Sequence, residues 1–145
     1  MVPATKIDES LSTAGQITAE DVAGIAAAGF SVIVNNRPDG EGGPDQPSSA
    51  VVGEAARVAG LSYHYLPMTP EGITPDMVTQ FRQIRGQAAG PIFAHCRTGA
   101  RSTILWALTE IAEGRSPEEV VAQAAAAQRD LSNVLPLLQR FAAQG

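Results

Sequence analysis

Apolar residues along this chain follow two alternating rhythms. Short β-branched or aromatic runs at 30–34 (FSVIV), 61–66 (LSYHYL) and 91–94 (PIFA) predict buried strands. Between them, apolar residues recur at helical spacing. Thr18 caps a helix that runs to Ala28 and stops at Gly29. Ser48 or Ser49 caps a second, with Val52, Ala55, Ala56 and Ala59 inward and Gly60 as its terminator. Thr74-Pro75-Asp76 opens a third, with Met77, Val78, Phe81 and Ile84 on one face. A fourth follows position 102 and ends at Gly114. Ser116-Pro117-Glu118-Glu119 is a capping box for a fifth, and a sixth covers about 133–143. Residues 1–16 are weakly patterned, and ESLSTAGQ within them reads as an edge strand.

This β-α-β-α-β-α-β order predicts an α/β fold. A mostly parallel central sheet of four to five strands lies between helices in three layers. The chain has 145 residues, 44% hydrophobic and 17% charged, which fits one domain with a real core. A net charge of −5 argues against general nucleic-acid binding. No stretch is apolar enough to span a bilayer, and the polar start does not read as a secretory signal, so the cytoplasm is expected. One cysteine and two histidines without metal spacing imply neither a zinc site nor an internal disulfide, and no cofactor is expected.

The chemistry concentrates in PIFAHCRTGARS, residues 91–102. A strand leads to His95 and Cys96, a loop follows through Arg97, Thr98, Gly99 and Ala100, and a helix opens behind it. Loop and helix-start N–H groups converge in such a turn, and the helix dipole adds positive potential. A thiol there ionises below its free value of about 8.5. Cys96 is therefore the expected nucleophile, and Arg101 a fork for an oxyanion. Ser102 is expected to donate its hydroxyl to the thiolate, and Gly99 to permit the turn. His95 is expected to bond loop backbone rather than act as a base. His64 reads as a packed or edge histidine.

Strand-end loops supply the remaining candidates, because ligands in open α/β sheets bind beyond the carboxyl ends of strands. Arg37 sits where one strand ends. Asp39 and Glu41 follow it, and Thr69 and Glu71 lie on the next loop.

The segments ITAEDVAGIAAAGF, VIVNNRPDGE, YLPMTPEGIT and AHCRTGARSTILWAL together resemble a bacterial phosphatase-like domain found alone or fused to metallo-β-lactamase-type hydrolases. The resemblance covers roughly residues 5–110. It implies a fold similar to the dual-specificity and tyrosine phosphatases, with the cysteine loop as active site. Those enzymes carry H-C-x5-R. Here Arg101 closes a C-x4-R loop, and Ser102 stands where x5 would require arginine. The shorter loop resembles the active loop of rhodaneses, which carry sulfur on cysteine as a persulfide. The loop corresponding to the phosphatase general acid has no aspartate; Glu71 is its substitute, with Asp39 or Glu41 reaching from the neighbouring loop.

Three functions follow. Sulfane-sulfur transfer through a Cys96 persulfide comes first, with thiosulfate or a persulfide as donor and an external thiol or cyanide as acceptor. Phosphatase chemistry through a Cys96 phosphocysteine is the alternative. A non-catalytic anion-binding module is the third.

Overall fold

The computed structural model describes residues 2–69 and 72–144. Five strands form one sheet: β1 (Ala4–Asp8), β2 (Leu11–Ala14), β3 (Val32–Asn35), β4 (Ser62–Tyr65) and β5 (Ile92–His95), in the order β1-β2-β5-β3-β4. Strands β2, β5, β3 and β4 are parallel, and β1 joins β2 antiparallel. The expected mostly parallel α/β sheet is present. The N-terminal segment departs from expectation. It forms two strands, and β2 lies inside the sheet between β1 and β5 rather than at an edge.

The polar residues of β2 explain why periodicity hid it. Ser12 and Thr13 are buried with Leu11 and Ala14, so no alternation marks the strand. Thr13 Oγ1 lies 3.0 Å from Thr103 Oγ1. Thr103 gives its one hydroxyl proton to the Gly99 carbonyl at 2.8 Å. Thr13 must therefore donate to Thr103. A two-hydroxyl chain thus runs from the middle of the sheet to the turn above it.

Helices cover both faces. On one, α1 (Val22–Ala27) and α2 (Ser49–Val58) seal Ile17, Ile25, Ile33, Val52 and Phe93. A 3-10 turn, Ala19–Asp21, precedes α1, so the expected single helix begins tight. On the other face lie α3 (Pro75–Gln87), α4 (Ala100–Ala112), α5 (Pro117–Ala126) and α6 (Leu135–Gln144). Trp106, Phe81, Leu105 and Leu138 fill that larger core. Helix α4 is buried along most of its length and sets the height at which the preceding loop stands. Glu110 of α4 pairs with Arg85 of α3 at 2.8 Å and with Arg115 at 2.9 Å, tying α3, α4 and the turn after α4 together. Pro136 occupies the second position of α6, where it costs no hydrogen bond. No described helix is long and apolar enough to cross a membrane.

Because both hydroxyls are fully buried, Thr13→Val leaves Thr103 without its donor. The expected loss is about 1 kcal/mol in urea denaturation, with the isosteric valine preserving packing.

Candidate active site

Strand β5 delivers His95 and Cys96 to the carboxyl edge of the sheet. The Cys96 N–H donates to the Ala14 carbonyl at 3.2 Å, and the Asn36 N–H to the His95 carbonyl at 2.7 Å. The chain then turns through 97–99 and enters α4 at once. Gly99 has φ +97°, in the left-handed region, and its N–H donates to Cys96 Sγ at 3.1 Å. A second glycine matters for closeness rather than conformation. A Cβ on Gly15 would stand 2.9 Å from the Arg97 carbonyl oxygen, and that oxygen accepts from the Gln16 N–H at 3.3 Å.

Cys96 is 1% exposed. Burial alone would push the Cys96 thiol up, and this is the largest single influence on it. The N–H groups of Ser102, Thr98, Gly99 and Arg101 together outweigh it and leave the thiol below its ordinary value. The cradle expected from the loop and helix start is therefore present around the sulfur.

Ser102 works differently from expectation. Its backbone N–H faces the sulfur, but its hydroxyl donates to Asn36 Oδ1 at 2.8 Å. Asn36 is fully buried and donates from Nδ2 to the Leu66 carbonyl at 2.9 Å. Its main chain also accepts from the Met68 N–H at 3.0 Å. Asn36 thus joins helix α4 to the chain leaving β4.

His95 is fully buried. Desolvation pushes its imidazole down to about 4, only partly offset by the Cys96 backbone and reinforced by Arg37. Neither ring nitrogen makes a well-formed hydrogen bond within the described residues. The expected bond to loop backbone is thus at most weak, and the ring is a neutral packing element beneath the sulfur.

Arg101 carries the positive charge. Nη1 donates to Glu41 Oε2 at 2.7 Å and to the Met68 carbonyl at 2.8 Å, and Nη2 donates to Glu41 Oε1 at 2.7 Å. Arg37 reaches the same carboxylate through Nε at 2.9 Å and reaches Gln16 Oε1 through Nη1 at 3.2 Å. Its own N–H is held by Asn35 Oδ1 at 2.8 Å. The Arg101 guanidinium, aided by Arg37, holds the Glu41 carboxyl down at about 2 against the opposing pull of burial.

Asp39 is not at the site. Its carboxylate accepts from the Ser49 N–H at 2.8 Å at the start of α2, and its own N–H is held by the Tyr65 hydroxyl at 2.8 Å. Glu71 lies outside the described residues. Arg97, Thr98 and Ala100 form the exposed rim of the loop. Beneath it, Arg129, which no local motif marks, donates to the Thr98 and Thr13 carbonyls, both at 3.2 Å. His64 is a half-buried residue of the edge strand β4. Among the described residues no cluster of His, Cys, Asp and Glu could hold a metal ion. Of the surface grooves, one of about 370 Å³ touches the loop rim, lined by Gly15, Thr98 and Arg129 among others. Another of about 350 Å³ runs beside β4, lined by Tyr63, His64, Tyr65 and Gln80 among others, and does not include Cys96. Converging donors locate the site better than groove size does.

The downward shifts of His95 and Glu41 shape the acid limb of stability. Below pH about 6.5 the unfolded chain takes up a proton that buried His95 refuses until about 4. Stability is expected to fall over that interval by an amount on the order of 3 kcal/mol. Glu41 adds a further loss as pH drops from 4.5 towards 2. Urea denaturation from neutral pH downward checks this, and His95→Gln should remove the upper component. Ser102→Ala should leave the pH midpoint of Cys96 alkylation low, since the N–H remains. It should cost about 1–3 kcal/mol for the stranded Asn36 oxygen.

Comparison with known proteins agrees with this geometry. A candidate phosphatase from Neisseria meningitidis superposes with a TM-score of 0.83 at 37% identity, over 94% of this chain and 96% of that one. The core catalytic domain of a PP-IP phosphatase from S. cerevisiae superposes at 0.70 with 15% identity, over 99% and 86%, a likeness of fold alone. A beta-lactamase hydrolase-like protein from Agrobacterium fabrum is 40% identical over 112 residues, 77% of this chain and 26% of that protein. One from Xylella fastidiosa is 35% identical over 139 residues, 95% of this chain and 32% of that protein. The chain thus spans about a quarter to a third of the length of these relatives. Residues 4–113 match the family described as "Beta-lactamase hydrolase-like protein, phosphatase-like domain". The chain belongs to that family.

Proposed function

We propose that the chain is a cysteine-dependent hydrolase of phosphate esters, acting through a phosphocysteine at Cys96. One observation carries this reading. A buried sulfur is held below its ordinary pKa by four converging N–H groups, with an arginine from the same loop beside it, on a phosphatase-like fold. The thiolate attacks phosphorus, an S–P bond forms, and the P–O bond to the leaving group breaks. The leaving oxygen takes a proton. Water then attacks phosphorus, the S–P bond breaks, and thiolate and inorganic phosphate are released. The N–H groups and Arg101 face charge that grows on the equatorial oxygens, where preorganised donors are most effective.

The source of the leaving-group proton is narrowed by geometry. Glu41 is ionised and has both oxygens bonded to arginines. Asp39 serves the start of α2. Of the three candidate acids we assign this role to Glu71, which lies between β4 and α3 in the sequence.

Sulfur transfer is the second reading, and it reverses the order expected from loop length. The count of four residues between Cys96 and Arg101 favours it, since one sulfane sulfur is smaller than a phosphoryl group. There the S–S bond of thiosulfate breaks, sulfite leaves, and a Cys96 persulfide passes its outer sulfur to an external thiol or cyanide.

Aryl phosphates should be hydrolysed by the wild type and not by Cys96→Ser, with loss of at least about a hundredfold in kcat in Arg101→Ala. Glu71→Gln should slow alkyl phosphates far more than aryl phosphates with good leaving groups, by about 10²-fold or more. A stable one-sulfur mass increase after thiosulfate, absent in Cys96→Ser and accompanied by no ester turnover, would transfer the assignment to the second reading.

A further inference from the structure

Arginine carries five N–H bonds. Among the described residues three of those on Arg101 are spoken for: two on Nη1, to Glu41 and the Met68 carbonyl, and one on Nη2, to Glu41. The two that remain, on Nε and Nη2, lie side by side on one edge of the fork. Besides Glu41, the side chain acting on this guanidinium is that of Cys96, by hydrogen bonding as well as by charge when ionised. An arginine on a flexible stem would otherwise present any of its edges, or turn away.

The carboxylate that imposes this arrangement is itself braced. Arg37 grips Glu41 Oε1 and, through Gln16, returns to the loop, because the Gln16 N–H bonds the Arg97 carbonyl. The contacts Arg97–Gln16–Arg37–Glu41–Arg101 close a ring that begins and ends on the cysteine loop. The segment carrying Glu41 is fixed in turn. Gln46 bonds the Gly42 N–H at 2.6 Å and the Pro38 carbonyl at 3.0 Å, and Tyr65 holds Asp39.

Resting on the phosphatase reading, we infer that Glu41 is a positioning residue: by occupying the end of the Arg101 fork, it aims the two-donor edge that it leaves open at an oxyanion bound over Cys96. Glu41 need not move for substrate to bind, because it and the substrate use different edges. A competing arrangement, in which Glu41 blocks Arg101 until substrate displaces it, would require the substrate to use the same N–H bonds.

The test separates geometry from charge. Glu41→Asp keeps the charge but shortens the reach, and Glu41→Gln keeps the reach but loses the charge. Both are expected to lower aryl phosphate turnover about tenfold or more, chiefly in kcat, and Glu41→Asp to weaken inorganic phosphate binding by a similar factor in calorimetry. In an Arg101→Lys background, which removes the fork, either substitution should change these quantities less than about twofold. Thermal unfolding confirms that each variant folds. Tighter phosphate binding in Glu41→Gln, or an undiminished Glu41 effect in Arg101→Lys, would overturn the inference. If the wild type hydrolyses no ester while phosphate binding still depends on Glu41 through Arg101, the phosphatase reading falls and the positioning role stands.

Discussion

Everything at the carboxyl edge of the sheet answers to one problem, easing the ionisation of a sulfur held out of water. Desolvation opposes the thiolate at Cys96 more strongly than any single neighbour favours it. Only several donors aimed at the same atom can reverse that balance. Main-chain N–H groups suit the task because they cannot rotate away once the loop is shaped. The requirement then passes from the sulfur to the loop. Gly99 supplies the left-handed residue, Thr103 holds its carbonyl, and Arg129 holds the carbonyl of Thr98. Each of these bonds removes a way for the ring of donors to open.

The charged groups form a second layer with its own logic. Cys96, Arg101, Glu41 and Arg37 alternate in sign, and no two like charges in the series touch without an opposite charge between them. Pairing lets two arginines stay nearly buried at an edge that must also admit an anion. It also explains why a carboxylate with a pKa of about 2 is a poor proton donor here. The same bonds that make Glu41 a good anchor for Arg101 disqualify it as a general acid.

Legibility in the sequence followed the range of the contact. The cysteine loop is a local object, and the positions of Cys96, Gly99 and Arg101 could be placed from spacing and helix-start chemistry alone. The three strands with apolar runs, the caps at Thr74 and Ser116, and the parallel order were legible for the same reason. The inner place of β2 was not, because its buried Thr13 hydroxyl meets a residue ninety positions away. Asn36, Gln16 and Arg129 escaped for the same cause. Their types carry no motif, and their roles exist only where distant segments meet. The Ser102 hydroxyl was assigned to the wrong partner because a serine beside a thiolate gives no hint that a buried asparagine competes for its proton.

Loop length and fold point in different directions, and the geometry shows how both can be right. A C-x4-R loop brings its arginine one residue sooner after the sulfur than C-x5-R does. With the helix starting at Ala100, an arginine one residue earlier leaves α4 about 100° around the axis from where the longer spacing would place it. An arginine displaced by that much needs a new partner to bring its fork back over the sulfur. Glu41, reaching across from the β3–α2 connection with Arg37 behind it, occupies the place such a partner must take. The short loop and the acidic residue on the neighbouring connection are then two halves of one adjustment. A shorter loop without the carboxylate would leave a thiolate with its donors intact and its arginine pointing elsewhere.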